Sequence, residues 1–140
     1  MKILLAADGS DYTRKMVDYV LGQRALFDAS HDYTVLNAQT PLPNHAASVV
    51  GSQATREYYE EEAHKVLDPV VAKLQQQGMK AQGVWKAGPL GETIAEYADK
   101  NGYDMVIMGS HGHGALGRLV MGSVANRVLA HCGVPVLLVR

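Results

Sequence analysis

The chain has 140 residues, 47% hydrophobic and 19% charged, the balance of a folded globular protein and not of a disordered chain. Its formal net charge of −1 gives no global basic field for nucleic acid, and a single cysteine, Cys132, excludes an internal disulfide or a thiolate zinc framework. No apolar run approaches the roughly 18–20 residues that span a bilayer. Only five apolar residues separate Lys2 from Asp8, so no signal peptide is expected and the expected location is cytoplasmic. Residues 1–140 are expected to form one domain.

In chain order, Ile3 to Ala7 is apolar throughout and predicts a strand covered on both faces. Asp8-Gly9-Ser10-Asp11 breaks it and predicts a helix over residues 11–28, with Val17, Val20, Leu21 and Phe27 inside. Tyr33 to Gln39 predicts the second strand, ended by Thr40-Pro41-Leu42-Pro43-Asn44 and a mobile loop to Ser52. A long helix follows, with Tyr58, Ala63, Val66, Leu67, Val70 and Leu74 on its inner stripe. Pro69 is expected to kink it or break it after Leu67, and Gly78 to stop it. Ala81 to Ala87 is a weaker strand, and Gly88-Pro89 opens a short helix ended by Asn101-Gly102. Tyr103 to Met108 predicts the fourth strand, Leu119 to Ala130 the last helix, and Val134 to Val139 the fifth strand.

This βαβαβαβαβ order predicts an α/β fold, an open five-stranded parallel sheet with helices on both faces. Ligands in such sheets bind at the carboxyl ends of strands, where strand order reverses. Asp8 and Gly109 both fall at carboxyl ends and flank one crevice if the first and fourth strands are neighbours.

After the apolar run Met105-Val106-Ile107-Met108, the residues Gly109, Gly112, Gly122 and Ser123 spell G-x2-G-x9-G-S. Glycine permits φ > 0 and close approach of backbone N–H groups to an anion, and a helix beginning near Ser123 adds its unpaired N–H groups. Gly112, Gly114 and Gly117 also spell the dinucleotide fingerprint, but the acid expected about 20 residues on is missing. Gly112 to Gly117 frames a P-loop, yet Arg118-Leu119 follows where Lys and a hydroxyl residue are required.

The remaining pattern, with Lys2-Ile3-Leu4-Leu5-Ala6-Ala7-Asp8-Gly9-Ser10, Tyr103 to Gly112, Gly122-Ser123-Val124-Ala125 and Cys132 to Val139, resembles the universal stress protein family across essentially the whole chain. The intact glycine pattern is similar to that of the family's ATP-binding branch. The resemblance implies an adenine nucleotide α-hydrolase-like sheet of strand order 3-2-1-4-5. It implies that Asp8, with Ala7 and Gly9 beside it, meets the adenosine part and that the Ala38 backbone meets adenine, although Leu36-Asn37-Ala38-Gln39 departs from the common family wording. It further implies that Met108, Gly109, His111 and Gly112 meet ribose and phosphates, and that Gly122, Ser123 and Val124 form a second phosphate-holding turn. Mg²⁺ is expected with ATP, bound through phosphate oxygens and water.

Plainer readings stand beside these. Asp8 equally suits an N-cap, and Ser123 suits a helix cap that also binds phosphate. His111 and His113 are too few ligands for a closed zinc site. Arg118 and Arg127 are phosphate counter-charges or ordinary solvated helix charges. Glu57, Glu60, Glu61 and Glu62 read as the wet face of a helix, and Trp85 and the tyrosines form no basic stacking platform for nucleic acid. Pro135 places the last strand at an edge. So hydrophobic an edge needs covering, by a second copy across a two-fold axis or by the first loops, and the resemblance implies a homodimer.

The expected function is nucleotide-dependent stress-response signalling, in which ATP biases the Thr40–Ser52 and Gly112–Gly122 loops and so changes a surface read by a protein partner that the sequence does not identify. The alternatives are a slow ATPase or self-phosphorylating enzyme, assisted by Ser110, His111 or His113, and a nucleotide-free structural dimer.

Overall fold

The computed structural model describes residues 1–113 and 121–140, apart from the side chains of Ala47 and Val50. Its elements are β1 (Lys2–Ala6), α1 (Asp11–Gly22), β2 (Asp32–Gln39), α2 (Asn44–Val50), α3 (Ser52–Gln76), β3 (Lys80–Ala87), α4 (Leu90–Lys100), β4 (Met105–Gly109), α5 (Ser123–His131) and β5 (Val136–Val139). All strands are parallel and lie in the order β3-β2-β1-β4-β5, as expected.

Period-two alternation along the strands divides the core between two faces. Ile3, Leu5, Tyr33 and Val35 pack with Met16, Val17, Val20, Ala63, Leu67 and Leu74 from α1 and α3. Leu4, Leu36, Val106 and Met108 pack with Ile94, Ala98, Ala125 and Val128 from α4 and α5. β1 is central and covered on both faces, which is why its sequence is apolar without alternation.

Several boundaries differ from expectation for local reasons. Helix α1 ends at Gly22 rather than residue 28, because Gln23 leaves helical geometry. The Leu26 and Phe27 N–H groups then turn back onto the Gln23 carbonyl at 3.0 and 2.8 Å, which returns Phe27 to the core. Part of the expected loop before Ser52 is helix α2. Gly51, at φ +84°, separates α2 from α3 in a conformation that glycine adopts without strain.

Helix α3 runs unbroken through Pro69. Pro69 lies on the exposed side, where water can satisfy the carbonyl that the missing N–H leaves behind. At its end Met79 N–H donates to Leu74 C=O at 3.1 Å and Gly78 N–H to Gln75 C=O at 3.0 Å. With Gly78 at φ +82° and Met79 buried, this is a Schellman stop.

Tyr103 is not yet strand, since its N–H closes α4 on the Ala98 carbonyl. β5 begins only after Pro135, whose carbonyl accepts the Val106 N–H at 2.9 Å. Helix α5 is described from Ser123; the expected start at Leu119, with Val120, lies outside the described residues. Among the described residues no helix is long and apolar enough to cross a membrane.

Helices α4 and α5 meet through Gly91. A Cβ there would overlap the Arg127 Cβ and lie 3.2 Å from the Arg127 Cα. Gly91→Ala is therefore expected to destabilise the fold by about 1–3 kcal/mol through overpacking, against a helix-propensity gain of about 1 kcal/mol. Thermal unfolding reads the balance, and a melting temperature at or above the parent's would contradict this account of the α4–α5 contact.

Candidate functional site

A cavity of about 510 Å³ opens at the carboxyl edge of the sheet. It lies where β1 and β4 sit side by side and the connections after them leave on opposite faces, the switch point of such sheets. Ala7, Asp8, Ala38, Met108, Gly109, His111, Gly112, Gly122, Ser123 and Val124 all line it. Gly9 does not. It sits behind the wall at φ +81°, and a Cβ on it would lie 3.2 Å from Val66 Cγ2.

Asp8 is fixed by its own turn. Its Oδ1 accepts the Ser10 N–H at 2.9 Å and the Thr13 hydroxyl at 3.0 Å. The buried Thr13 hydroxyl in turn accepts the Asp8 and Gly9 N–H groups at 3.0 and 3.1 Å. The N-cap of α1 is Ser10, so Asp8 makes an Asx turn rather than a cap. The Ser10 hydroxyl lies near this carboxylate without reaching hydrogen-bond geometry. Burial pushes the Asp8 carboxyl up, yet the Ser10 and Thr13 bonds, with His113 nearby, outweigh it and hold it below the usual aspartate range.

The glycines do their work by close approach. Gly109, Gly112 and Gly122 are not among the positive-φ glycines, so the expected freedom to take φ > 0 is not used at these three positions. A Cβ at Gly109 would fall 2.6 Å from Tyr12 Cβ, and one at Gly112 2.5 Å from Asp8 Oδ2. At Gly122 it would fall 3.2 Å from His111 Cα. Gly122 N–H donates to Ser110 C=O at 2.7 Å, and Ser110 N–H to Val139 C=O at 2.8 Å, so buried Ser110 ties the loop to both α5 and β5.

Gly122 is the N-cap of α5. Ser123 is thus the first helical residue and not the cap. Gly122, Ser123, Val124 and Ala125 all face the cavity, so the helix presents first-turn N–H groups and its positive dipole end there.

His113 Nε2 and the Asp8 carbonyl lie 2.8 Å apart, the ring N–H donating. His111 Nδ1 lies 2.8 Å from Ser110 Oγ, and its ring packs on Tyr12 at 5.0 Å between centroids. Among the described residues no three His, Cys, Asp or Glu side chains converge as a metal site. Arg127 is drawn to Glu92 on α4 at 3.1 Å and does not line the cavity. Arg118 lies outside the described residues.

The opposite wall was less legible. Ala7 N–H donates to Leu36 C=O, and Gly88 N–H to Gln39 C=O, both at 2.9 Å. Alternation therefore turns the Ala38 N–H and C=O toward β1, whose ladder has ended at Ala6. The Ala7 carbonyl, which the Ala38 N–H would meet in a continuing ladder, is taken by Asn37 Nδ2 at 3.0 Å.

Tyr58, Glu62 and Val66 also line the cavity from α3. Sequence spacing put Tyr58 in the core and Glu62 on the wet face. The structure instead buries Tyr59 and turns Tyr58 and Glu62 to the cavity. The signal was the i, i+4, i+8 spacing of the three residues, hidden by the two adjacent tyrosines.

The universal stress protein family model matches residues 1–140. The chain is 29% identical to universal stress protein MJ0531 of Methanocaldococcus jannaschii, over 99% of this chain and 81% of that one. It is 31% identical to Slr1230 of Synechocystis, over 99% of this chain and 42% of that protein. Among solved structures, MJ0577 of Methanocaldococcus jannaschii superposes with a TM-score of 0.83 at 25% identity, over 99% of this chain and 94% of that one. Less similar structures of the fold were solved with AMP (Arabidopsis thaliana), with dAMP (Archaeoglobus fulgidus) and with cAMP. With its whole length matched by the family model and its sheet order shared with the similar structures, this chain belongs to the universal stress protein family.

Proposed function

We propose that residues 1–140 act as one nucleotide-binding domain that holds ATP with Mg²⁺ and serves, in the cytoplasm, as a nucleotide-dependent stress-response signalling module. The observation that carries the reading is the two-ended character of the cavity. At one end the first turn of α5 and the close-packed Gly109, Gly112 and Gly122 offer backbone N–H groups and no side-chain bulk, which suits phosphate. At the other end the Ala38 peptide group offers a donor and an acceptor side by side, which suits the edge of a base.

Ala6, Leu36, Leu90, Ile94, Met108 and Val124 add apolar lining to the cavity. Its volume of about 510 Å³ falls within the roughly 300–1,000 Å³ of small-molecule sites. The complexes of similar folds with AMP, dAMP and cAMP support an adenine nucleotide. Asp8 and Ala7 would meet the nucleoside, with Gly9 holding their turn. Met108, Gly109, His111, Gly112, Gly122, Ser123 and Val124 would meet ribose and phosphates. Mg²⁺ would be held through phosphate oxygens and water, where it offsets charge that the helix dipole alone does not.

Mass spectrometry of gently purified protein is expected to find bound adenine nucleotide, and titration calorimetry to measure ATP binding. Gly112→Val drives a side chain into Asp8 and is expected to weaken ATP roughly tenfold to a hundredfold. Wild-type and Gly112→Val proteins that bind ATP equally would remove this site from consideration.

Nucleotide and loops are coupled in this reading, because occupancy favours one of two arrangements of the segment from Thr40 to Ser52. Hydrogen exchange in that segment and in Ser110–Gly112 is expected to slow with ATP. Superimposable exchange with and without ATP would count against signalling through these segments.

The same reading makes β5 the homodimer contact. The Pro135 and Val139 carbonyls point to β4, so alternation turns the peptide groups of Val136 and Leu138 outward. Leu138→Pro deletes an outward N–H and leaves the β4 ladder intact. Sedimentation should change from dimer to monomer, and an unchanged dimer would place the contact elsewhere.

A further inference from the structure

We propose that the exposed first turns of α3 form a second nucleoside-recognition surface, in which Tyr58 stacks on the nucleoside and Glu62 accepts a hydrogen bond from it. This inference rests on the nucleotide reading of the cavity and specifies how its α3 wall selects a ligand.

The sequence of contacts along α3 places the two residues. Val66 packs behind the Gly9 turn, Glu62 stands one helical turn closer to the mouth and Tyr58 one turn further. Each step is about 6 Å along the axis. All three line the cavity. Tyr58 is 46% exposed, although its neighbour Tyr59 is in the core. An aromatic ring kept open at a cavity mouth offers a flat apolar face to a base.

The wall is held in place by Tyr59. Its ring stacks on Trp85 with centroids 5.4 Å apart and planes 24° from parallel. Its hydroxyl accepts the Leu42 N–H at 2.7 Å, and its carbonyl accepts Gln39 Nε2 at 2.8 Å. One residue therefore joins α3 to the end of β2, to the strap after it and to the edge strand β3. Tyr58 and Glu62, on the same turns, are presented by a rigid scaffold rather than by a loop, which lowers the ordering cost of binding.

Charge fixes which end of a nucleotide this wall meets. Glu62 and Asp8 are the carboxylates lining the cavity, and among the described lining residues there is no Lys or Arg. Phosphates are repelled by Glu62 and drawn to the N-terminus of α5, so the nucleoside lies against α3. Lys65 holds Glu62 Oε1 at 2.8 Å, but a carboxylate has about four acceptor sites, and one ammonium does not exhaust them. As an acceptor without a proton to give, Glu62 favours a ligand with a donor on that side, either the exocyclic amine of the base or a ribose hydroxyl.

Titration calorimetry with ATP, ITP and dATP tests this on the full chain. ITP replaces the amine by a carbonyl, and dATP lacks one ribose hydroxyl. Wild-type protein is expected to prefer ATP to at least one of the two. Glu62→Ala should narrow that preference about tenfold, beyond what the Ala38 backbone and Asp8 still contribute, and Glu62→Gln, which keeps an acceptor oxygen, should retain it. Narrowing of the ATP-to-ITP preference assigns the bond to the base amine, and narrowing of the ATP-to-dATP preference assigns it to the ribose.

Tyr58→Ala should weaken all three ligands about tenfold, with Tyr58→Phe close to wild type. Both positions are partly exposed, so melting temperatures should stay near the parent's. ATP bound by the wild type but equally by all four variants overturns the inference and leaves the nucleotide reading standing. Tighter ATP binding by Glu62→Ala and Glu62→Gln alike overturns it too, since Glu62 would then act by charge alone. Absence of ATP binding to the wild type overturns both.

Discussion

The carbonyl of Ala7 decides where the sheet stops and the site begins. In a continuing parallel ladder it would accept the Ala38 N–H. It accepts Asn37 Nδ2 instead, while the Ala7 N–H still reaches Leu36. Both backbone polar groups of Ala7 are thereby satisfied from β2 with no further strand pairing, as buried backbone requires. β1 can then turn away into the Asp8–Thr13 knot, and the Ala38 peptide group faces the space left behind. One buried amide, 5% exposed, thus converts a sheet edge into a cavity wall.

The position of this opening follows from chain topology. Right-handed crossovers send α1 and α3 to one face and α4 and α5 to the other, so the chain must divide between β1 and β4. The pieces that meet there are of opposite electrical character. The start of α5 carries partial positive charge, while Glu62 carries full negative charge on the α3 wall and Asp8 carries it beside Gly112. A cavity with such a gradient orients a ligand that is itself two-ended, before any particular side-chain contact is considered. Asp8 stays ionised in it because its hydrogen bonds outweigh the cost of burial.

The fold was legible because its signals were local and redundant. Unbroken apolar runs marked β1 and β4, glycines marked several stops, and Pro135 marked β5 as an edge. The site was legible where the chain crosses the carboxyl edge in one continuous piece, as at Ala7-Asp8 and at Gly109 to Gly112. It was obscure where recognition depends on a helix's rotation about its own axis. Tyr58 and Tyr59 are adjacent, so either could head the inner stripe, and a run of glutamates reads as solvated whichever way one member points. The Gln39 and Leu42 contacts that fix that rotation are long-range, and periodicity carries no information about them. Helix α2 was missed for a related reason, since a helix of two turns has little period to read.

The glycine pattern itself has a different physical meaning from the one its sequence suggested. Glycine in a phosphate loop is commonly a matter of backbone freedom, yet Gly109, Gly112 and Gly122 are not among the glycines at positive φ. At Gly109 and Gly112 another group occupies the place of the Cβ, Tyr12 and the Asp8 carboxylate, and at Gly122 the His111 Cα stands only 3.2 Å from it. The spacing therefore records three close contacts among β1, α1, β4 and α5, not three unusual torsions. Substitution by alanine would leave the torsions accessible and still displace the Asp8 carboxylate or the α5 start. The motif and the acid after the first strand are consequently parts of one packed unit, since the void at Gly112 is filled by Asp8. A change in either is felt at both walls of the cavity at once.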